Sequence, residues 1–153
     1  MTNRELTSGE RALAASIFGA AIDYDRVRLY RRKYWPFHPR GYTMAPDGHL
    51  WFHPHGELYS EDFSTEPLSL QGHFVHEMTH VWQAQTRGRW YLLLMRHPWC
   101  RYDYALERGK PFARYGIEQQ AEIIRHAFLY RRGFCPAGAP ARDALEALLP
   151  FQT

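Results

Sequence analysis

Apolar positions recur with a helical period in four parts of the chain. This spacing predicts helices at residues 8–19, 67–88, 116–131 and 140–149. Thr7 and Glu10 form a capping-box signature at the start of the first helix, and Gly88 is a natural stop for the second. These two helices are therefore predicted by end signals as well as by periodicity.

Strand-like alternation occupies two shorter segments. Residues 26–34, "RVRLYRRKY", and residues 49–54, "HLWFHP", flank a loop whose prolines and glycines argue against regular structure. The second segment is either an edge strand that a peptide could extend or an ordinary core strand. The apolar run at residues 89–99 is expected to be buried, and residues 101–116 to form a loop or hairpin. Together these elements predict an α+β fold with a small antiparallel sheet.

Composition limits the class of protein. A chain of 153 residues with 45% hydrophobic and 23% charged residues suits a single globular domain, residues 1–153. The nineteen Lys and Arg residues are spread along the sequence, which argues against a nucleic-acid partner. No apolar run reaches the roughly eighteen residues of a membrane span. We expect the protein to be cytoplasmic as synthesised, because its N-terminal apolar stretch fits an amphipathic helix better than a signal peptide.

The two cysteines add one constraint. Cys100 and Cys135 lie far apart and form no CxxC pair. Neither a disulfide framework nor a cysteine zinc ribbon is therefore encoded, and one bridge or two free thiols both agree with the sequence.

The candidate chemistry lies inside the second predicted helix, where His76, Glu77 and His80 spell HExxH. Histidines four apart on a helix are separated by about 40° around its axis, so both rings can reach one metal ion. Glu77 is turned about 100° from His76, which suits a general base acting on a water molecule better than a ligand. The pattern indicates a zinc hydrolase, in which zinc has three protein ligands and one open position.

The third ligand must come from elsewhere in the chain. Glu118 and Glu122 lie one turn apart on the predicted helix 116–131, on an otherwise apolar face. Two stacked carboxylates repel each other unless a cation meets them. A metal shared with the histidines would be that cation, and the residues alone leave open which carboxylate binds it.

HExxH followed further along the chain by ExxAE resembles the gluzincin metallopeptidases, which carry HExxH and then ExxAD. The longer strings "HEMTHVWQ" and "YGIEQQAEII" resemble more narrowly the Vgr-related metallopeptidase family, which includes domains at the tips of type VI secretion spikes. The resemblance covers most of the chain. It implies a minimal zincin-like domain with Zn2+ as cofactor, His76, His80 and Glu118 as ligands and Glu77 as catalytic base. Glu122 replaces the family's aspartate and is implied to orient a histidine.

A peptidase also needs a hydrogen-bond donor that stabilises the oxyanion of the transition state. Tyr115 and His126 are candidates, together with Tyr102 and Tyr104, and the sequence does not choose among them. His73 precedes His76 by three residues and is expected to lie partly buried beside the site. The histidines between residues 49 and 55 match no strong metal motif and are expected in loops.

Two hypotheses of different kinds follow. The first is a zinc metallopeptidase that hydrolyses peptide bonds of a peptide or protein substrate. The second is a zinc-binding cargo or interaction module, without turnover, associated with type VI secretion spike components. Glu77 favours the first, because a purely structural site needs no base and closes its fourth position. The resemblance also implies export by a non-Sec, type VI route.

Overall fold

The computed structural model describes residues 3–151, which form five α-helices and four short strands. The helices are α1 (Ser8–Phe18), α2 (Leu68–Arg87), α3 (Arg89–Met95), α4 (Ile117–Arg131) and α5 (Arg142–Leu148). The strands are β1 (Asn3–Glu5), β2 (Arg28–Tyr30), β3 (Thr43–Met44) and β4 (Leu50–Phe52). The four predicted helices are confirmed, and the overall class is α+β. Each helix within the described residues is too short or too polar to cross a lipid bilayer.

Local hydrogen bonds fix where α1 begins. Thr7 Oγ1 accepts from the Glu10 backbone N–H at 3.0 Å, and the Glu10 carboxylate accepts from the Thr7 N–H at 2.9 Å, which completes the predicted capping box. The same carboxylate is fully buried and accepts from Arg4 at 2.8 Å and from the Phe63 N–H at 3.0 Å. Glu10 thereby joins β1, α1 and the segment that precedes α2.

The sheet is mixed, with the strand order β1-β2-β4-β3. The two outer pairs are antiparallel, but β2 and β4 run parallel, with Leu29 opposite Leu50. The prediction of an antiparallel sheet is therefore wrong for the central pair. A parallel pair needs a crossover connection, which the long loop after β2 provides.

The strand order also decides between the two predictions for residues 49–54. β4 lies between β2 and β3, so this segment is an interior strand and the edge-strand alternative is wrong. The edge beside α2 is formed instead by β3, where Thr43 Oγ1 lies 2.8 Å from His73 Nε2. β3 falls in the loop that was predicted to be irregular, since a strand of two residues has too few positions to show alternation.

One hydrophobic core joins the sheet to the helices. Phe63 lies between two other buried rings, with centroids 5.6 Å from Phe52 and 5.1 Å from Phe74. α2 and α4 lie close together where they cross. A Cβ added to Gly72 of α2 would lie only 3.3 Å from Leu129 Cδ2 of α4. This crossing sets the relative position of the two helices that carry the candidate site.

The prediction that the apolar run at residues 89–99 is buried is wrong. Gly88, with φ of 90°, lets the chain turn from α2 into α3. A short helix at the surface buries one face, and Leu92 is the buried residue of α3. The large exposed side chains of this run are Trp90, Leu93, Leu94, Met95 and Trp99.

The segments around α4 complete the described structure. Residues 101–116 form an irregular loop with one short 3₁₀ turn, Phe112–Arg114, in agreement with the prediction of a loop or hairpin. Cys100 and Cys135 are both free thiols, which excludes a bridge between them.

Candidate metal centre

Two imidazole rings lie on the buried face of α2. His76 and His80 are one turn apart and are only 7% and 4% exposed. His76 Nε2 lies 3.1 Å from Glu118 Oε2, and His80 Nε2 lies 3.0 Å from the same oxygen. The first turn of α4 thus brings one carboxylate to both rings.

The convergent atoms fit a metal ion. The three donor atoms of His76, His80 and Glu118 lie within 4.8 Å of one another. Two imidazole nitrogens and one carboxylate oxygen are ligands that suit zinc. Within residues 3–151 this is the single group of three or more His, Cys, Asp or Glu residues that could hold a metal. The donor set is therefore compatible with the cofactor that the sequence predicted.

Glu122 lies behind His76. Its Oε1 is 3.4 Å from His76 Nδ1, the ring nitrogen opposite to the one that faces Glu118. Its Oε2 accepts from Arg125 Nε at 2.8 Å. This position suits a group that orients the ring through its second nitrogen, the role that the family resemblance implies for Glu122.

His80 has a hydrogen-bond partner that was not predicted from the sequence. Gln83 follows it by three residues on α2, and its Oε1 lies 2.8 Å from His80 Nδ1. The Gln83 amide nitrogen donates to the Ile117 carbonyl at 3.0 Å and to Gln120 Oε1 at 2.9 Å. The i, i+3 spacing from the histidine was visible in the sequence, but no motif distinguishes this glutamine from other polar residues of α2.

Opposite charges hold the donors together in the protein without metal. Burial disfavours the charged form of His76, but hydrogen bonds to Glu118 and Glu122 outweigh it and raise the pKa of His76 to about 10. Burial would likewise raise the pKa of Glu118, yet the hydrogen bonds from His76 and His80 hold that pKa well below its usual range. A positive charge between the rings and the carboxylate is therefore favoured here, and a cation would meet the same need.

A cavity of about 370 Å³ opens beside the three donors, and Glu77 lines it. Within residues 3–151 no group donates a hydrogen bond to the Glu77 carboxylate, which is therefore available to a water molecule. Arg96 and Arg125 also line the cavity and bring positive charge to it. Neither arginine was predicted to lie at the site, because nothing in their spacing relates them to the HExxH motif.

Tyr102 is the member of the four candidate oxyanion donors that lines this cavity. Its ring stacks on His76, with centroids 5.9 Å apart and an interplanar angle of 16°. Burial, with a smaller contribution from the charge of Glu118, raises the pKa of Tyr102 to about 12. The hydroxyl group therefore stays protonated near neutral pH and can donate a hydrogen bond.

The other three candidates lie away from the cavity. The Tyr115 hydroxyl accepts from the Glu107 N–H at 3.0 Å, and its ring packs in the hydrophobic core. The Tyr104 hydroxyl lies 2.6 Å from His126 Nδ1, while His126 Nε2 is 3.6 Å from Glu122. Tyr104 and His126 thus lie behind Glu122, in a neighbouring cavity of about 300 Å³. This placement favours Tyr102 over the predicted Tyr115 and His126.

The remaining histidines named in the sequence analysis lie outside the donor set. His73 lines the cavity but is hydrogen-bonded to Thr43 of β3, and its burial lowers its pKa. His49 Nδ1 accepts a backbone N–H from β2, and His53 Nδ1 accepts the N–H of His55 at 3.0 Å. These contacts explain why the three histidines between residues 49 and 55 do not converge on a ligand.

The fold and the site define an α+β domain in which an HExxH helix and a crossing helix bring two histidines and a glutamate together. No protein-family model matches the chain. Its structure is similar to the effector domain of Pseudomonas aeruginosa VgrG2b, with a TM-score of 0.76 and 38% identity over 95% of this chain and 83% of that domain. The chain belongs to the family of VgrG2b effector domains.

The same relationship appears in a much longer protein. The chain is 44% identical over 150 residues to the type VI secretion system spike protein VgrG2b of Pseudomonas aeruginosa. The match covers 92% of this chain and 14% of the spike protein, so the chain spans a small part of that relative's length. The Vgr-related association expected from the sequence is therefore confirmed for the effector domain.

Proposed function

We propose that the chain is a zinc-dependent peptidase domain that acts in association with a type VI secretion spike. One observation carries the catalytic part: the donors His76, His80 and Glu118 meet beside an open cavity that Glu77 also lines. A structural zinc site normally has a fourth protein ligand, whereas a catalytic site keeps that position open. The open side of the three donors supports the catalytic reading.

The residues of the cavity suit the steps of peptide hydrolysis. Zinc held by these ligands would supply Lewis-acid chemistry toward a peptide carbonyl. Glu77 would take a proton from a water molecule in the cavity and deliver it to the amine leaving group. Tyr102, protonated near neutral pH, would donate a hydrogen bond to the oxyanion of the transition state.

The relationship to a spike protein supports the secretion-associated part of the proposal. The Pseudomonas aeruginosa relative is a type VI secretion system spike protein, and its domain of known structure is an effector domain. We therefore propose that this chain is delivered with components of such a spike, by a route that needs no Sec signal. Its substrate would be a peptide or protein that it meets after delivery.

The second candidate function is a zinc-binding cargo or interaction module without turnover. The same relatives support it, because an effector domain on a spike is itself a carried module. The two functions share the metal ligands and differ in Glu77, which would have no catalytic role in the second.

Metal content and hydrolysis, measured on the same preparations, distinguish the two functions. We expect about one zinc per chain in the untagged protein and in Glu77→Gln, and loss of zinc in His80→Ala and Glu118→Ala. Hydrolysis of an unfolded protein substrate should be lost in Glu77→Gln and retained in Glu57→Gln, a control at an exposed glutamate. Zinc without hydrolysis of a broad peptide library would favour the carried module, and no zinc after its addition would contradict both functions.

A further inference from the structure

The exposed apolar side chains of the protein are concentrated around α3. Five of the ten large hydrophobic residues exposed on the described surface lie between residues 90 and 99. We call them the α3 patch: Trp90, Leu93, Leu94, Met95 and Trp99. Leu94 and Trp99 are 82% and 80% exposed, so they are almost as accessible as in an extended chain. Exposed apolar side chains concentrated in this way mark an interaction site in a folded protein.

The geometry of α3 turns three side chains of the patch outward together. Trp90, Leu93 and Leu94 follow i, i+3, i+4 spacing and therefore share one face of the helix. Leu92 lies on the opposite face, buried against Ala84 and Ile117. The helix is thus fixed to the domain by one side, and these three side chains project from the other.

The sequence around the patch contains basic residues but no acidic ones. Residues 78–102 contain no Asp or Glu, and the arginines in this stretch are Arg87, Arg89, Arg96 and Arg101. Arg101 is paired with Asp103 at 2.6 Å. Arg96 is 4.0 Å from Glu118. The stretch therefore keeps uncompensated positive charge where α2 ends and α3 begins.

Of the two remaining arginines, Arg89 borders the patch at Trp90, and Arg87 lies beside Tyr91, the next residue along α3. Arg87 and Arg89 form no ion pair with any residue between 3 and 151. Their guanidinium groups lie 5.7 Å from the ring of Tyr91 and 4.8 Å from the ring of Trp90. Free cationic groups beside exposed indole and leucine side chains are the combination found where proteins enter the headgroup region of a membrane.

We propose that the α3 patch docks on a lipid bilayer that carries anionic headgroups. Trp90, Leu93 and Leu94 would enter the boundary of the acyl chains, and Arg87 and Arg89 would meet lipid phosphates. Charge complementarity selects an anionic surface. A bilayer also needs no hydrogen bonds from the patch, whereas a protein interface carries about one per 100–200 Å². Apart from two indole N–H groups, the patch side chains offer no strong donor or acceptor.

Docking in this orientation would bring the candidate metal centre close to the membrane surface. Arg96 follows Met95 directly and lines the cavity beside the metal ligands, as does Tyr102. Substrates at the bilayer surface would then have the shortest path to the cavity. Membrane docking itself does not depend on the proposed hydrolysis, because it rests on surface residues that do not take part in metal binding.

Co-sedimentation with vesicles tests the proposal. The whole protein is mixed with vesicles of phosphatidylcholine alone and of phosphatidylcholine with phosphatidylglycerol. We expect binding to the anionic vesicles that weakens as salt is added, because surface charges are screened over roughly 10 Å at 0.1 M salt. Leu94→Glu and Trp99→Glu should each reduce partition at least about tenfold, since a charge replaces a buried apolar group.

Matched variants separate the patch from general effects. Phe134→Glu changes an exposed aromatic residue after the C-terminal end of α4, away from α3, and should bind as the wild type does. Arg89→Glu should weaken binding, whereas Arg108→Glu, at an exposed arginine outside the patch, should not. Circular dichroism confirms that each variant is folded.

Three results would overturn membrane docking: no binding of the wild type to anionic vesicles, equal binding to neutral vesicles, or unchanged binding of Leu94→Glu and Trp99→Glu. In the first case, self-association of the protein that needs the patch would assign the surface to a second copy of the chain. Zinc content measured on the same samples reports separately on the proposed function.

Discussion

Gln83 accepts a hydrogen bond from His80, and this contact assigns the tautomer of the histidine. The amide nitrogen of Gln83 faces the Ile117 carbonyl, which can only accept, so the amide oxygen must be the atom 2.8 Å from His80 Nδ1. Nδ1 therefore carries a proton, and Nε2 is the ring atom left to bind a metal. Glu122 holds the corresponding position at His76.

Gln83→Leu should lower zinc affinity by about tenfold to a hundredfold, the usual cost of losing a group that orients a ligand. The measurement is competition with a chromogenic chelator. Gln85→Leu is the matched control, because Gln85 is an amide on the same helix that bonds the backbone of Asp23 instead of a ligand. Equal zinc affinity in the two variants would show that the contact between Gln83 and His80 does not strengthen zinc binding.

The positions of the two glutamates of α4 predict unequal roles. Glu118→Gln should weaken zinc binding more than Glu122→Gln, because Glu118 lies at both Nε2 atoms and Glu122 lies behind one ring. Glu122→Asp should stay close to the wild type, since a shorter carboxylate occupies this position in the resembled family. A larger loss of zinc in Glu122→Gln than in Glu118→Gln would reverse the assignment.

The helices were predictable because periodicity extends over many residues and averages out local exceptions. α2 and α4 also carry the candidate ligands, so the angular spacing of a helix was enough to place His76 and His80 on one face. β3 has two residues, too few to show alternation, and β1 consists of the polar residues Asn3, Arg4 and Glu5, which show no apolar positions. The parallel pairing of β2 and β4 depends on the path of the loop between them, which leaves no local signal.

The site was predictable where a motif exists and was missed where only packing brings residues together. Gln83, Arg96 and Arg125 reach the ligands or the cavity because α2, α4 and the segment after α3 meet there. Apolar character alone also misled the prediction for residues 89–99. An apolar run is buried only where the fold leaves room in the core, and α3 lies at the surface.

Zinc affinity should rise with pH. Burial lowers the pKa of His76, but hydrogen bonds to Glu118 and Glu122 raise it further, to about 10. The ring is therefore protonated at neutral pH without metal, and zinc must displace that proton. Affinity should increase about tenfold per pH unit between about pH 7 and pH 9 and level off near the pKa.

The raised pKa of His76 also determines how the stability of the metal-free protein depends on pH. Because the pKa of His76 is raised, its charged pairing stabilises the metal-free fold fully below the ordinary value of 6.5 and is lost as the pH rises toward about 10. Glu122→Gln removes one of the two hydrogen bonds that raise this pKa. In this variant the increase of zinc affinity with pH should therefore level off at a lower pH. Zinc affinity that is constant across this range would contradict a protonated His76.

The buried carboxylate of Glu10 should be the most costly ionic group to remove. Glu10→Gln leaves the largely buried Arg4 without its buried charged partner and with only the exposed Glu61 at 3.9 Å, so we expect a loss of about 3 kcal/mol or more in the free energy of unfolding. Glu146 pairs with Arg131 in a comparable 2.8 Å contact but is partly exposed, and Glu146→Gln should cost at most about 1 kcal/mol. Urea denaturation gives both values, and equal losses would show that burial does not matter here.

Tyr102→Phe should separate metal binding from turnover. The variant keeps the ring that stacks on His76 and loses the hydroxyl, so zinc content should be unchanged while kcat falls about a hundredfold and KM changes little. Tyr42→Phe is the control, because Tyr42 lines the same cavity without stacking on a ligand. If Tyr102→Phe retains full kcat where Glu77→Gln loses it, the oxyanion donor must be another group of the cavity. Arg96 and Arg125 are the cationic groups that line it, and each would then be tested by substitution with Met.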